Sequence, residues 1–312
     1  MKKYPLIIEP PCKSSVWGGT KLTEYYGGDK IAEAYVLSVL DGEESYIKNG
    51  SLKGRPITKV FTDYPDWIVD TLQKKFPIMI KLAETTAFTS VQVHPNDAFA
   101  ISKLKCFGKS EIWYIIEADE GAGVYVGLTE KLTNSEIKRL AESGDILSKM
   151  RFCKVKKGDV VEIPAGYPHT ISGGVTFIAI QENSNVEYRL YDFDRADSTR
   201  PLEIDKALEV IKPEIAGNPI IKLPMILDKN GVTYKKEFSP YFTFYRYKVK
   251  SEVFVNSESL TFVMPLDSEL KIEYARMGKL QEETVGKLRA VVLPCGLQVK
   301  LTGETEIIRI QI

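Results

Sequence analysis

The chain has 312 residues, 44% of them hydrophobic and 27% charged, which is the composition of an ordinary globular protein long enough for two domains. Lysine plus arginine equals aspartate plus glutamate at 42 each, so no net charge is available to attract nucleic acid or an anionic membrane. The four cysteines, Cys12, Cys106, Cys153 and Cys295, are widely spaced without a CxxC pair, which argues against a disulfide framework or a cysteine zinc site.

In chain order, Met1-Lys-Lys-Tyr-Pro-Leu-Ile-Ile-Glu9 has too short an apolar run for a signal-peptide core, and no later stretch is apolar enough to span a bilayer. A cytoplasmic protein is expected. Short runs rich in Val, Ile, Tyr, Phe and Thr, parted by Gly, Asp, Asn and Pro, predict a mainly β sandwich or barrel. Ala34–Val39, Ile112–Ile116, Val175–Ile180, Tyr241–Tyr247 and Glu306–Ile312 are examples. Helical insertions are expected near 57–75, with Asp66–Lys75 reading as a short helix, and near 132–150. In the latter, Thr133 and Glu136 have capping-box spacing, Ile137, Leu140 and Ala141 share a face, and a break falls near Gly144. A third helix, Leu202–Ile211, stops before Pro213. The stretch 212–224 is then the expected linker between a first domain, 1–211, and a smaller all-β domain, 225–312. Leu293-Pro-Cys-Gly in the second echoes Ile163-Pro-Ala-Gly in the first and places Val299 where the first copy has His169. The second domain is therefore expected to bind no metal.

The chain has only two histidines, and each sits in a ligand-like segment. In Val91-Gln-Val-His94-Pro, strand alternation puts Gln92 and His94 on one face and the valines on the other, and Pro95 ends the strand. In Gly108-Lys-Ser-Glu111-Ile-Trp, Lys109 and Glu111 share parity at a strand entrance, where a carboxylate can complete a His/His metal site. In Gly158-Asp-Val-Val-Glu-Ile-Pro164-Ala-Gly166-Tyr-Pro-His169, one glycine opens a hairpin and the next permits the tight return that aims His169 inward.

That last spacing resembles the second motif of the cupin superfamily, and further segments resemble the class I mannose-6-phosphate isomerases in their short bacterial form. These are Trp17-Gly-Gly, Phe76-Pro-Ile-Met-Ile-Lys81, Gln92-Val-His94-Pro-Asn-Asp97, Gly108-Lys-Ser-Glu111, Gln181-Glu-Asn-Ser and Tyr188-Arg-Leu-Tyr-Asp-Phe-Asp-Arg195. The resemblance implies two cupin-type double-stranded β-helix barrels with short helical insertions. It also implies a zinc-dependent aldose–ketose isomerase that interconverts mannose 6-phosphate and fructose 6-phosphate through a cis-enediol(ate).

Gln92, His94, Glu111 and His169 carry over as ligands of one Zn2+ per chain, with other divalent metals also compatible with such a donor set. Arg189 carries over as the catalytic arginine. Lys81, Lys109 and Arg189 would surround a sugar phosphate with positive charge, and Lys109 would orient substrate or assist proton transfer. Asn185 stands where many relatives have Asp, so a general base at that position is not expected; Glu182 and Glu187 are the nearby carboxylates. The alternative reading is a non-catalytic cupin that binds a sugar phosphate as a sensor or scaffold.

Overall fold

The structure, a computed structural model, describes residues 1–68, 76–195, 200–228, 231–238 and 241–312. Among them the protein is mainly β, with sheets of eight, seven, five and four strands. No helix among the described residues is long and apolar enough to cross a membrane.

The chain divides into two compact units that are discontinuous in sequence. One comprises Cys12–Ala34 and Met79–Lys222; the other comprises Met1–Pro11, Tyr35–Ile78 and Leu223–Ile312. The boundary within 212–224 is thus one of several, and the first strand, Leu6–Glu9, groups with the C-terminal strands because it pairs with Val291–Leu293. Backbone pairing between distant segments leaves no trace in local composition, so a contiguous division is what the sequence suggests.

In the unit holding both histidines, a seven-stranded sheet runs Ile220–Ile221, Val160–Ile163, Glu111–Ala118, Val175–Glu182, Ile78–Thr85, Glu33–Leu37, Cys12–Lys13. A five-stranded sheet runs Tyr188–Tyr191, Val91–Val93, His169–Ile171, Gly123–Leu128, Met150–Lys154. Trp113, Ile115, Val161, Ile163, Phe177 and Ala179 of the first sheet share one core with Val124, Val126 and Ile171 of the second. Each large apolar side chain so buried stabilises the fold by roughly 1.5–3 kcal/mol.

The other face of the five-stranded sheet is closed by helices. The helix Asn134–Glu142 begins with the expected capping box: Glu136 Oε2 accepts from Thr133 N, and Thr133 Oγ1 accepts from Glu136 N. Ile137, Leu140 and Ala141 pack with Ala207 and Ile211 on Val91, Val93, Tyr188 and Leu190. Gly144, at φ 78°, ends that helix before the 3-10 turn Ile146–Lys149. The third helix spans Ile204–Val210. Around 57–75, the helix is Ile57–Asp63, followed by a 3-10 turn Pro65–Trp67; most of the expected Asp66–Lys75 helix lies outside the described residues.

The second unit repeats the strand ladders of the first. Val291–Leu293, Thr261–Pro265, Thr305–Gln311 and Phe242–Val249 follow the order of Val160–Ile163, Glu111–Ala118, Val175–Glu182 and Ile78–Thr85. The register matches as well: Leu293 faces Thr261 as Ile163 faces Glu111, and Val299 faces Val255 as His169 faces Gln92. Gly296 N donates to Ser257 O at 2.6 Å, as Gly166 N donates to His94 O at 2.8 Å. The positions matching Gln92, His94, Glu111 and His169 are therefore Val255, Ser257, Thr261 and Val299.

Candidate metal centre and active site

Alternation along Val91–Val93 fixes the position of the first candidate ligand. Both valines are held in the helix-side core, so Gln92, one residue out of phase, must face the space between the sheets. His94 follows directly, 1% exposed, and the backbone of Gly108–Lys109 closes over it. Lys109 N donates to Pro95 O at 2.9 Å and Gly108 N donates to Asp97 Oδ1 at 2.8 Å. A Cβ on Gly108 would sit 2.5 Å from the backbone of Asn96 and Asp97, so only glycine allows this approach. It delivers Glu111 to His94. The Gly166 turn, at φ 90°, delivers His169 from the other side by bonding the His94 carbonyl.

The result is a buried cluster of His94, Glu111 and His169 whose candidate ligand atoms all lie within 4.8 Å of one another. Glu111 Oε1 is 3.6 Å from His94 Nδ1 and 3.5 Å from His169 Nε2. Two atoms that each ligate a tetrahedral ion at about 2.1 Å are about 3.4 Å apart, so these separations suit one divalent ion. Both ring nitrogens of His94 are buried without a hydrogen-bond partner among the described residues, which is costly for an imidazole with nothing to bind. Gln92 Nε2 lies 3.4 Å from His169 Nε2; turned over, the same amide would offer its oxygen as a fourth donor.

Neighbouring groups orient the donors. Tyr167 O accepts from His169 Nδ1 at 2.9 Å, which turns Nε2 toward Glu111. Trp113 Nε1 donates to Glu111 Oε2 at 2.9 Å, leaving Oε1 for the cluster. Burial acts to raise the Glu111 carboxyl, but the Lys109 ammonium, His169 and the Trp113 indole outweigh it and hold the group at about 2. Burial, seconded by the Lys109 ammonium, pushes His94 well below its ordinary value, so it is a neutral donor. Trp113→Phe should keep the fold and weaken divalent-metal affinity about 10–100-fold, read by competition with a chromophoric chelator.

Arg189 joins the cluster across the sheet. It is directly opposite Gln92, which is directly opposite His169, so the three side chains form one row on the inner face. Lys109 is 3% exposed with Nζ 3.4 Å from Glu187 Oε2, and Arg200 Nη2 holds the other oxygen of Glu187 at 2.6 Å. Lys81, 7% exposed, contacts Glu33 at 3.2 Å. Asn185 is exposed on the loop between Val175–Glu182 and Tyr188–Tyr191.

Glu182 Oε2 accepts from Ser110 N at 3.0 Å. Burial raises this carboxyl to about 7, against the Ser110 bond and with help from the Asp97 charge. Its folded-state value exceeds its unfolded value of 4.5, so its contribution to stability is fully present below pH 4.5 and is lost as pH rises through about 7. Urea midpoints measured from pH 5 to 8 should fall for the wild type and fall less for Glu182→Gln.

Sequence reasoning did not single out Trp113, Ser90, Asp192 or Arg195. Trp113 and Ser90 carried a usable signal, since each lies two residues from a ligand position on the same strand face. Asp192 has Arg189 and Arg195 three residues to either side, and only its bond to Ser90 comes from a segment distant in sequence.

Residues 6–120 match the family described as "Phosphomannose isomerase type I, catalytic domain". The chain is 31% identical over 257 residues to the mannose-6-phosphate isomerase of Streptococcus mutans, covering 80% of each chain. It is 32% identical over 219 residues to the mannose-6-phosphate isomerase ManA of Bacillus subtilis, covering 68% of this chain and 69% of that one. The crystal structure of a mannose 6-phosphate isomerase from Bacillus subtilis superposes with a TM-score of 0.88 over 100% of both chains at 25% identity.

Proposed function

The chain belongs to the type I mannose-6-phosphate isomerase family, with its cupin-type fold, and from that premise we propose that it is a zinc enzyme converting mannose 6-phosphate to fructose 6-phosphate through a cis-enediol(ate). The observation that carries the metal reading is the buried convergence of His94, Glu111 and His169. These three and Gln92 would hold one divalent ion per chain. When bound, it would supply Lewis-acid polarisation of the sugar oxygens.

The open-chain aldose loses the proton on C2, and a proton is returned to C1, while the hydroxyl proton on O2 passes to O1. Atoms and charge balance without a co-reactant. Negative charge grows on O1 and O2 along this path, and Arg189, on the same inner row as Gln92 and His169, stabilises it. Lys109, with its ammonium fixed by Glu187, orients substrate and handles the proton. Lys81 adds positive charge for the phosphate. Burial of these cations in a chain of zero net charge makes the attraction local. Val255, Ser257, Thr261 and Val299 leave the second unit without a matching ligand set, so it contributes stability and no second metal.

The test is a coupled assay for fructose 6-phosphate on protein of measured metal content. Turnover proportional to bound metal is expected. A protein that binds mannose 6-phosphate and never converts it would replace this reading with that of a sugar-phosphate-binding cupin.

A further inference from the structure

The segment Tyr188–Arg195 does more than supply Arg189. Arg189 Nε donates to Ser90 Oγ at 3.0 Å, and its Nη2 meets Asp192 Oδ2. Ser90 Oγ in turn donates to Asp192 Oδ1 at 2.7 Å. Arg189 Nη1 donates to the carbonyl of Arg200. Asp192 is itself held from the far side: Arg195 Nη2 meets its Oδ1 at 2.5 Å, Arg195 Nε donates to its backbone carbonyl at 3.0 Å, and Arg195 Nη1 donates to Phe88 O at 2.8 Å. The chain folds back for this through Phe193 and Asp194, two consecutive non-glycine residues at φ 54° and 55°. Left-handed backbone at such residues is strained and persists only where surrounding contacts hold it. Here Phe193 stacks on Phe88 with centroids 5.0 Å apart, and Arg195 lies 5.5 Å over its ring.

We infer that Ser90 and Asp192 are positioning residues that lock the Arg189 guanidinium edge-on, so that its remaining N–H groups are aimed before substrate arrives. Arginine has five N–H donors on a long flexible stem. Three are engaged by Ser90, Asp192 and Arg200, one on each nitrogen, leaving two donors on the paired terminal nitrogens. One remaining donor on each terminal nitrogen can meet the developing charge on the oxygens of an enediolate. A guanidinium already oriented adds no reorganisation cost when the charge develops, so the arrangement acts on turnover. Arg195 fixes Asp192 by bonding both its Oδ1 and its backbone carbonyl, leaving Oδ2 to meet Arg189. The inference rests on the proposed role of Arg189 in the isomerisation.

The experiment is a double-mutant cycle between Asp192→Asn and Arg189→Ala, with Ser90→Ala as an independent probe of the same lock. Metal content and melting temperature are measured on every variant. Asp192→Asn is expected to lower kcat about 30-fold or more with KM within about threefold and metal content unchanged. Ser90→Ala should lower kcat about 5-fold, and Ser90→Thr, which keeps the hydroxyl, should recover most of that. In the Arg189→Ala background, Asp192→Asn and Ser90→Ala should each cost less than about twofold, because nothing remains to be positioned. Equal losses with and without Arg189 would overturn the inference, as would an Asp192→Asn enzyme of normal kcat. If Asp192→Asn fails to fold, the Ser90→Ala arm of the cycle decides by the same criterion. Near-normal turnover of Arg189→Ala alone would instead remove the catalytic role of Arg189, which is a separate result visible in the single mutant.

Discussion

Removing the divalent ion should lower turnover of mannose 6-phosphate by about a thousandfold or more, and Zn2+ added back at one equivalent should restore it. The physical basis is the donor set. The proposed set of two imidazoles, a carboxylate and an amide would leave coordination positions open, as catalytic zinc sites do and closed structural sites do not. Stabilisation of developing charge by a bound divalent ion is worth several kcal/mol, and each 1.4 kcal/mol is a factor of about ten in rate. A ligand that binds the folded chain alone stabilises it, so melting temperature should also rise on metal addition. Dialysis against chelator, metal analysis and the coupled assay together check this. Full activity in protein shown to contain no metal would eliminate the site assignment, whatever the family.

Arg189→Ala should lower kcat by about two to three orders of magnitude with metal content unchanged. Arg189 is 4% exposed and stands one strand beyond Gln92 on the inner row, so it can meet the substrate oxygens without touching the metal ligand set. Loss of one donor group aimed at developing negative charge typically costs 10²–10³ in turnover. Arg189→Lys should recover only a small part, because an ammonium cannot satisfy Ser90, Asp192 and the Arg200 carbonyl while presenting two further donors. Lys81→Ala should shift more of its defect into KM, since a charge proposed to hold the phosphate acts equally before and during the reaction, whereas Lys109→Ala should lower both substrate affinity and kcat, since Lys109 is proposed to orient substrate and handle the proton. An Arg189→Ala enzyme with normal kcat and weakened substrate affinity would reassign this arginine to ground-state binding.

How much of this was legible beforehand depended on whether the signal was local. The alternation in Val91-Gln-Val-His94 placed Gln92 and His94 on the inner face, and the structure confirms the split, with both valines in the helix-side core. The capping box at Thr133 and Glu136 formed as spaced, because both partners lie within one helical turn. The Gly158-to-His169 spacing predicted a tight return at Gly166, and the left-handed backbone there follows from glycine alone. Parity at a strand entrance groups Glu111 with Lys109, and Glu111 stands 3.6 Å from His94.

Other features had no sequence signature. The unit boundaries are discontinuous because Leu6–Glu9 pairs with Val291–Leu293, a contact between segments almost a chain length apart. Asn185 looked like a departure within the active-site segment, yet it is exposed, while Glu187 two residues on is drawn in by Lys109 and Arg200.

By itself, then, the sequence determined the donor chemistry and the local geometry of each piece: which side chains alternate inward, where glycine permits a turn, where a helix starts. Those depend on steric rules with a range of a few residues. The tertiary structure alone decided which pieces meet. The 3.5 and 3.6 Å approaches of Glu111 to the histidines and the bond from Arg189 to Ser90 depend on strand order and on core packing between two sheets. Strand order is fixed by the summed burial of dozens of apolar side chains, and no single short segment contains that sum.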